Sequence, residues 1–171
     1  MILNSDNIKK IKNKEPTFIK KFTSWETPKN FNYIIKEIDT YSLNVIPKGS
    51  ELALPTFNCI WQVRQIHQHN SFFFTFLDFF KKTFNYKDDI RDSVDIFISF
   101  MASVGVSHTD IEDVFLIGLE GTTIYKDMKN DINYSIEKGD ILYFPKGNRH
   151  KAISLNSRLI ASVGLYGERN V

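Results

Sequence analysis

The sequence predicts a mainly β protein with helices confined to its amino-terminal half. The β part is expected to close as a small antiparallel barrel or sandwich. Three observations lead there. From Val94 onward, short runs rich in Val, Ile, Phe and Tyr recur about every 8–12 residues. They are separated by turn signals: Glu120-Gly121, Lys129-Asn130-Asp131, Lys138-Gly139-Asp140 and Pro145-Lys146-Gly147-Asn148. Helical spacing appears only before that point. A length of 171 residues suits one domain, able to bury roughly 70% of its unfolded surface without staples. The expected organisation is a single domain over 1–171, with 1–90 a mixed α/β portion packing on the barrel and 91–171 the core barrel strands.

Element by element, residues 1–14 are polar and basic and read as a frayed lead-in, or at best a short strand around Ile8–Ile11. Thr17 to Phe22 alternates and reads as a strand. Thr27 is a suitable N-cap and Pro28 a suitable first helical residue for a helix carrying Phe31, Ile34, Ile35 and Ile38. Pro47 to Ser50 marks a turn. Phe72, Phe73, Phe74, Phe76, Leu77, Phe79, Phe80 and Phe84 predict a buried helix over 71–84, capped by Asn70 or Ser71 and ended near Asn85. Such an aromatic stripe reads as core rather than as a cofactor box. Strands are expected over 94–101, 105–108, 113–120, 122–127, 131–136, 141–144, 150–155 and 158–166.

Composition excludes several classes. Lys and Arg number 22 against 20 Asp and Glu, and a net charge of +2 gives no argument for nucleic-acid binding. One cysteine, Cys59, forms no internal disulfide. No apolar run is long enough for a membrane span and no signal-peptide pattern is visible, so a cytoplasmic protein is expected.

The chemistry-bearing pattern lies in the β part. His108-Thr109-Asp110 follows a strand-like Val104-Gly105-Val106, and His150 comes about 40 residues later, after Phe144-Pro145-Lys146-Gly147-Asn148-Arg149. Residues i and i+2 of a strand share a side, so His108 and Asp110 can ligate one ion, and a neighbouring strand can bring His150 beside them. Two imidazoles and one carboxylate on one face of an ion suit Fe(II) and leave the opposite face open. His67 and His69 form a second His-x-His, but no carboxylate pattern accompanies it, and they read as loop or helix-entry residues. Asp113 reads as a turn residue or a support for the ligands.

The stretches Ser107 to Gly121 and Lys138 to His150, together with Pro16 to Trp25, resemble the JmjC-type, cupin-fold oxygenases, most of all the ribosomal-oxygenase-like bacterial members. The resemblance spans 15–166 and is specific at the two metal motifs. It implies a cupin-like double-stranded β-helix (jelly-roll) barrel and an Fe(II)- and 2-oxoglutarate-dependent dioxygenase. Its metal ligands would be His108, Asp110 and His150, its cosubstrates 2-oxoglutarate and O₂, and its reaction hydroxylation of an unactivated carbon. A Phe-rich lining is expected to keep water from the reacting centre.

One position departs from the pattern. The resembled families place a Lys on the strand after the His-x-Asp, where it pairs with the distal carboxylate of 2-oxoglutarate; here Thr123 stands in that place. A buried carboxylate without a cation is costly, so the cation is sought in Lys126 or in Arg158, and Arg158 is preferred because other branches use an Arg on the strand after the distal His. Arg158, Ile160 and Ser162 would share a face. Tyr125 and Tyr143 are candidate hydrogen-bond donors into the barrel. Asn148, Arg149 and Ser162 are candidates for contact with substrate or with the ligands. The Lys-rich start, Lys9 to Lys21, reads as a solvated face. Two other readings stand beside the hydroxylase: a cupin dioxygenase that binds its substrate directly to iron without 2-oxoglutarate, and a non-enzymatic cupin module that binds a small molecule. Larger relatives carry further segments after the barrel, so a small molecule or short peptide is the expected substrate. The oligomeric state is left open by the sequence, with an edge strand or the amino-terminal helices as the surfaces through which a homodimer could pair.

Overall fold

The computed structural model describes residues 3–22, 30–48 and 60–169. Two antiparallel sheets face each other. The larger takes β1 (Thr17–Ile19), β2 (Val45–Lys48), β3 (Ile60–Val63), β4 (Ser93–Ser99), β7 (Asp113–Glu120), β10 (Ile141–Phe144) and β12 (Arg158–Leu165), in the order β1-β10-β7-β12-β4-β3-β2. The smaller takes β5 (Ser103–Val104), β8 (Thr123–Asp127), β9 (Ile132–Ile136) and β11 (Arg149–Ser154), in the order β5-β11-β8-β9, with β6 (His108–Thr109) also on β11. This is the double-stranded β-helix. Among the described residues three α-helices, α1 (Ser5–Lys12), α2 (Phe31–Tyr41) and α3 (Ser71–Phe84), accompany it.

Strands β7, β10 and β12 of the larger sheet are buried on both faces, which explains why they read as nearly continuous apolar runs. On β7, Val114 and Leu116 face the smaller sheet, whereas Phe115, Ile117 and Leu119 face the helices. The inner cluster joins Val114, Leu116, Leu142, Phe144 and Ile160 to Tyr125 and Ile136 from the smaller sheet, with Phe18, Phe97 and Tyr134 packed against it. The outer cluster seats Ile11, Ile34 and the stripe Phe73, Phe76, Leu77, Phe80 and Phe84 on the far face of the larger sheet. Phe80 stacks on Phe115 with ring centroids 4.3 Å apart. Phe73, Phe76, Phe80 and Phe84 of α3 therefore form core behind the sheet while Phe74 is exposed, and the phenylalanines that line the barrel are Phe18, Phe97 and Phe144. Gly118 is required where it stands: a Cβ there would overlap the Glu137 carbonyl of the adjoining turn.

Several expectations change. The polar start is a helix, α1, because Asn4 caps it by accepting the Asn7 N–H (2.7 Å) and Ile11 is fully buried. The α2 cap is Asn30, whose side chain accepts the Tyr33 N–H; the expected caps Thr27 and Pro28 lie outside the described residues, as do Cys59 and the Gly49-Ser50 part of the expected turn. Pro47 and Lys48 belong to β2, which together with β3 extends the large sheet. α3 has the expected bounds, with Asn70 as cap and Asn85 closing it in the left-handed conformation. The strand expected over 105–108 is two short pieces, β5 and β6, on either side of Gly105. Among the described residues no helix is long and apolar enough to cross a membrane.

Candidate metal centre

β6 runs antiparallel to the start of β11, with His108 directly opposite His150. Asp110 follows two residues later, on the same side as His108. The result is a compact cluster at one end of the barrel. His108 Nε2 lies 3.6 Å from Asp110 Oδ1, and His150 Nε2 lies 3.5 Å from Asp110 Oδ2. One ligand atom from each residue falls within 4.8 Å of the others.

The hydrogen bonds on the far side of each ring set its chemistry. His108 Nδ1 bonds the Val106 carbonyl (2.9 Å), and His150 Nδ1 bonds the Asn148 carbonyl (3.1 Å). A carbonyl only accepts, so Nδ1 carries the proton in both rings and the Nε2 lone pairs turn toward Asp110. Burial holds His150 below the ordinary imidazole pKa, against the pull of Asp110, and so favours its neutral form. Three acceptors thus converge at separations too long for hydrogen bonds between them. Such a donor set suits a divalent cation. Phe144 stacks on the His150 ring (centroids 4.6 Å, 15°) and Tyr125 flanks it at 6.2 Å. The His150 side chain is 4% exposed and that of His108 54%, so the cluster is walled on the barrel side and open on the β6 side.

The turn leading into β11 is fixed by backbone geometry. The Asn148 N–H reaches the Pro145 carbonyl (3.0 Å), and Gly147 takes φ +79°, a conformation glycine adopts without strain. The Gly147 N–H donates to the Asp110 carbonyl (2.9 Å), which ties the segment carrying Asp110 to the turn before His150. Arg149 donates to Ser107 Oγ across the same seam.

Deeper in the barrel lies a buried cation. Arg158 is 1% exposed and its guanidinium lies beside the Tyr125 phenol, while its Nε and Nη1 have no partner among the described residues. Thr123 Oγ1 and Asn148 Oδ1 are likewise buried without a partner among the described residues. Burial pushes the Tyr125 phenol up from its ordinary pKa, and Arg158 opposes that shift. Ser162, half-buried, lies on β12 four residues beyond Arg158, at the alternate positions that include inward-facing Ile160.

The structure therefore gathers Arg158, Thr123 and Tyr125, with Asn148 beside His150. It separates Lys126 from them: Lys126 alternates to the outer face of β8 and pairs with Asp131 at 2.6 Å. Tyr143 also leaves the barrel, packing in the outer cluster where Arg169 donates to its hydroxyl (2.9 Å). His67 Nδ1 accepts the Val94 N–H (3.1 Å) and the His69 ring packs on Tyr41, so both serve local structure. Sequence reasoning missed the Val106 and Asn148 carbonyls, which as backbone groups leave no residue-type signal.

The family profile described as "JmjC domain" matches residues 122–170. Among solved structures, the ribosomal oxygenase YcfD from Escherichia coli is similar at a TM-score of 0.75 and 19% identity, over 99% of this chain and 53% of that one. The same protein in complex with cobalt and 2-oxoglutarate gives 0.76 at 19% identity, with the same coverage. An RmlC-like cupin from Shewanella frigidimarina gives 0.50 at 8% identity, over 75% of this chain and 87% of that one. These likenesses establish the cupin-type fold, and the chain spans about half the length of the E. coli protein. A comparison with curated protein sequences finds no match.

Proposed function

We propose that the chain is an Fe(II)- and 2-oxoglutarate-dependent oxygenase, a single cupin-like domain over 1–171 that hydroxylates an unactivated carbon. The observation that carries this reading is the convergence of His108 Nε2, Asp110 and His150 Nε2 at the end of a jelly roll, with Arg158 buried behind Tyr125. The cobalt and 2-oxoglutarate complex of the E. coli neighbour and the JmjC profile match support it.

When bound, Fe(II) with 2-oxoglutarate and O₂ supplies the oxidising power to insert an oxygen atom into a C–H bond. The protein supplies the geometry. His108, Asp110 and His150 would hold the metal, and the Val106 and Asn148 carbonyls keep both Nε2 lone pairs turned toward that site. Arg158 offers unpartnered N–H groups to the distal carboxylate of 2-oxoglutarate, with Thr123 and Tyr125 adding hydroxyl contacts. Phe144 covers the His150 ring and excludes water from that side. Asn148 and Ser162 remain to meet substrate.

Exposed Val106 and Ile111, on either side of His108 and Asp110, favour a partly apolar peptide segment over a small polar molecule as substrate. That the E. coli neighbour is a ribosomal oxygenase supports a macromolecular substrate too. A cytoplasmic location suits a ferrous enzyme, and a homodimer would pair through the outer strands β2 or β9.

The test is conversion of 2-oxoglutarate to succinate by Fe(II)-loaded protein, with Asp110→Ala as control. Succinate that forms with the natural sequence and not with the variant supports the reading. Full iron occupancy without succinate, under conditions where O₂ is consumed on a substrate, would replace it with a cupin dioxygenase that needs no 2-oxoglutarate.

A further inference from the structure

The carboxylate of Asp113 is 2% exposed on the first residue of β7, three residues after Asp110. Four donors converge on it. The Lys146 N–H donates to Oδ1 (2.8 Å), and Lys14 Nζ, the Tyr86 hydroxyl and Arg169 Nη2 (3.0 Å) donate to Oδ2. That fills the acceptor capacity of a carboxylate, about four sites.

Lys146 belongs to the turn that delivers His150, four residues later in the chain. The neighbouring residue of that turn, Gly147, donates to the carbonyl of Asp110. Beyond the β6–β11 pairing and the Arg149–Ser107 contact, these two bonds join the segment carrying Asp110 to the turn leading to His150, one of them through the Asp113 side chain. The remaining donors are anchored elsewhere. Arg169 Nη1 donates to the Ile11 carbonyl (2.6 Å), and its Nη2 also reaches the Tyr86 and Tyr143 hydroxyls (2.5 and 2.9 Å). Lys14 lies just past α1. None of these residues is a candidate ligand. Two cations, two phenols and one carboxylate form a brace around the buried Asp113, with Lys14 reaching in from the surface, and Asp113 in turn fixes the turn before His150.

We infer that Asp113 is a positioning residue for the metal centre, holding the Asp110 and His150 segments in register through its bond to the Lys146 N–H. This rests on the reading of His108, Asp110 and His150 as ligands. Groups outside the ligand set that orient a metal site commonly change affinity about 10–100-fold when removed.

The test is Co(II) binding by calorimetry and by the visible Co(II) spectrum, on protein shown to be folded by circular dichroism. Lys146→Pro removes the N–H that Asp113 accepts, together with an exposed lysine side chain. Position 146 precedes Gly147 in a turn of the kind that accepts proline there, so the turn persists. Lys146→Pro is expected to weaken Co(II) severalfold and to alter its spectrum, with thermal stability close to that of the natural sequence. Asp113→Ala is expected to weaken Co(II) about tenfold or more. Asp113→Asn keeps an oxygen for the Lys146 N–H and is expected to stay within about threefold. Unchanged Co(II) affinity in folded Lys146→Pro overturns the inference, even if Asp113→Ala proves unable to fold. If the natural sequence fails to bind Co(II) through His108, Asp110 and His150, the reading of the metal centre falls first, and that outcome is distinct.

Discussion

Replacing Arg158 by Met should raise the stability of the protein in the absence of ligand and abolish its response to 2-oxoglutarate. Arg158 is among the largest fully buried side chains, and its Nε and Nη1 hydrogens have no partner among the described residues. Each buried N–H left unpaired costs about 1–3 kcal/mol. A buried charge replaced by an apolar side chain of similar volume is often neutral or stabilising, by about 1–4 kcal/mol. The lost Tyr125 contact offsets part of this gain. A net gain of about 1 kcal/mol would raise the thermal midpoint by about 2–4 °C for a chain of this size. With 2-oxoglutarate at about 100 times its dissociation constant, the metal-loaded natural sequence should gain about 2.7 kcal/mol, and Arg158→Met should gain nothing. The assay is calorimetric unfolding of both proteins with Co(II), with and without 2-oxoglutarate. A strongly destabilised Arg158→Met that keeps a normal shift with 2-oxoglutarate would refute the reasoning, because the guanidinium would then be a structural group unrelated to the cosubstrate.

Lys126→Ala should leave 2-oxoglutarate affinity unchanged in the same assay, since Lys126 pairs with Asp131 on the outer face of β8. Phe80→Ala should lower stability by about 3–5 kcal/mol in urea unfolding while leaving Co(II) affinity near normal, because Phe80 packs behind the larger sheet. Asp113 also makes a pH prediction. Burial raises its pKa, but Lys14, Tyr86 and the Lys146 N–H outweigh burial and hold the carboxyl below its ordinary value of 3.8. Its contribution is therefore fully present above about pH 4 and is lost as pH falls through the lower folded value. The stability difference between the natural sequence and Asp113→Asn, measured by urea unfolding from neutral pH down to about pH 2, should be flat above pH 4 and shrink below it; a difference that grows on acidification contradicts this.

The barrel strands were readable because local signals and tertiary context agree there. Turn residues such as Gly121, Gly139 and Gly147 all take positive φ, and the runs between them bury alternate or both faces. The α3 stripe was readable for the same reason, with Asn70 and Asn85 marking its ends. The amino-terminal portion was harder. The two apolar residues of α1, Ile8 and Ile11, lie in a lysine-rich stretch, and β2 and β3 are four-residue strands tied to the sheet only through the pairing of β3 with the distant β4. The two histidines and the carboxylate were visible as residue types at a characteristic spacing. The brace around Asp113 was not, because it joins residues 14, 86, 113, 146 and 169, a set that only the fold brings together. Lys126 and Arg158 could be told apart only once alternation on β8 and β12 placed one outside and the other inside.

Anaerobic titration with ferrous iron, followed by metal analysis after gel filtration, bears most directly on the metal centre. The expected result is a single iron per chain in the natural sequence, with retention lost in His150→Ala and in Asp110→Ala. Iron retained equally by folded His150→Ala and Asp110→Ala, or by none of the three proteins, would contradict the account.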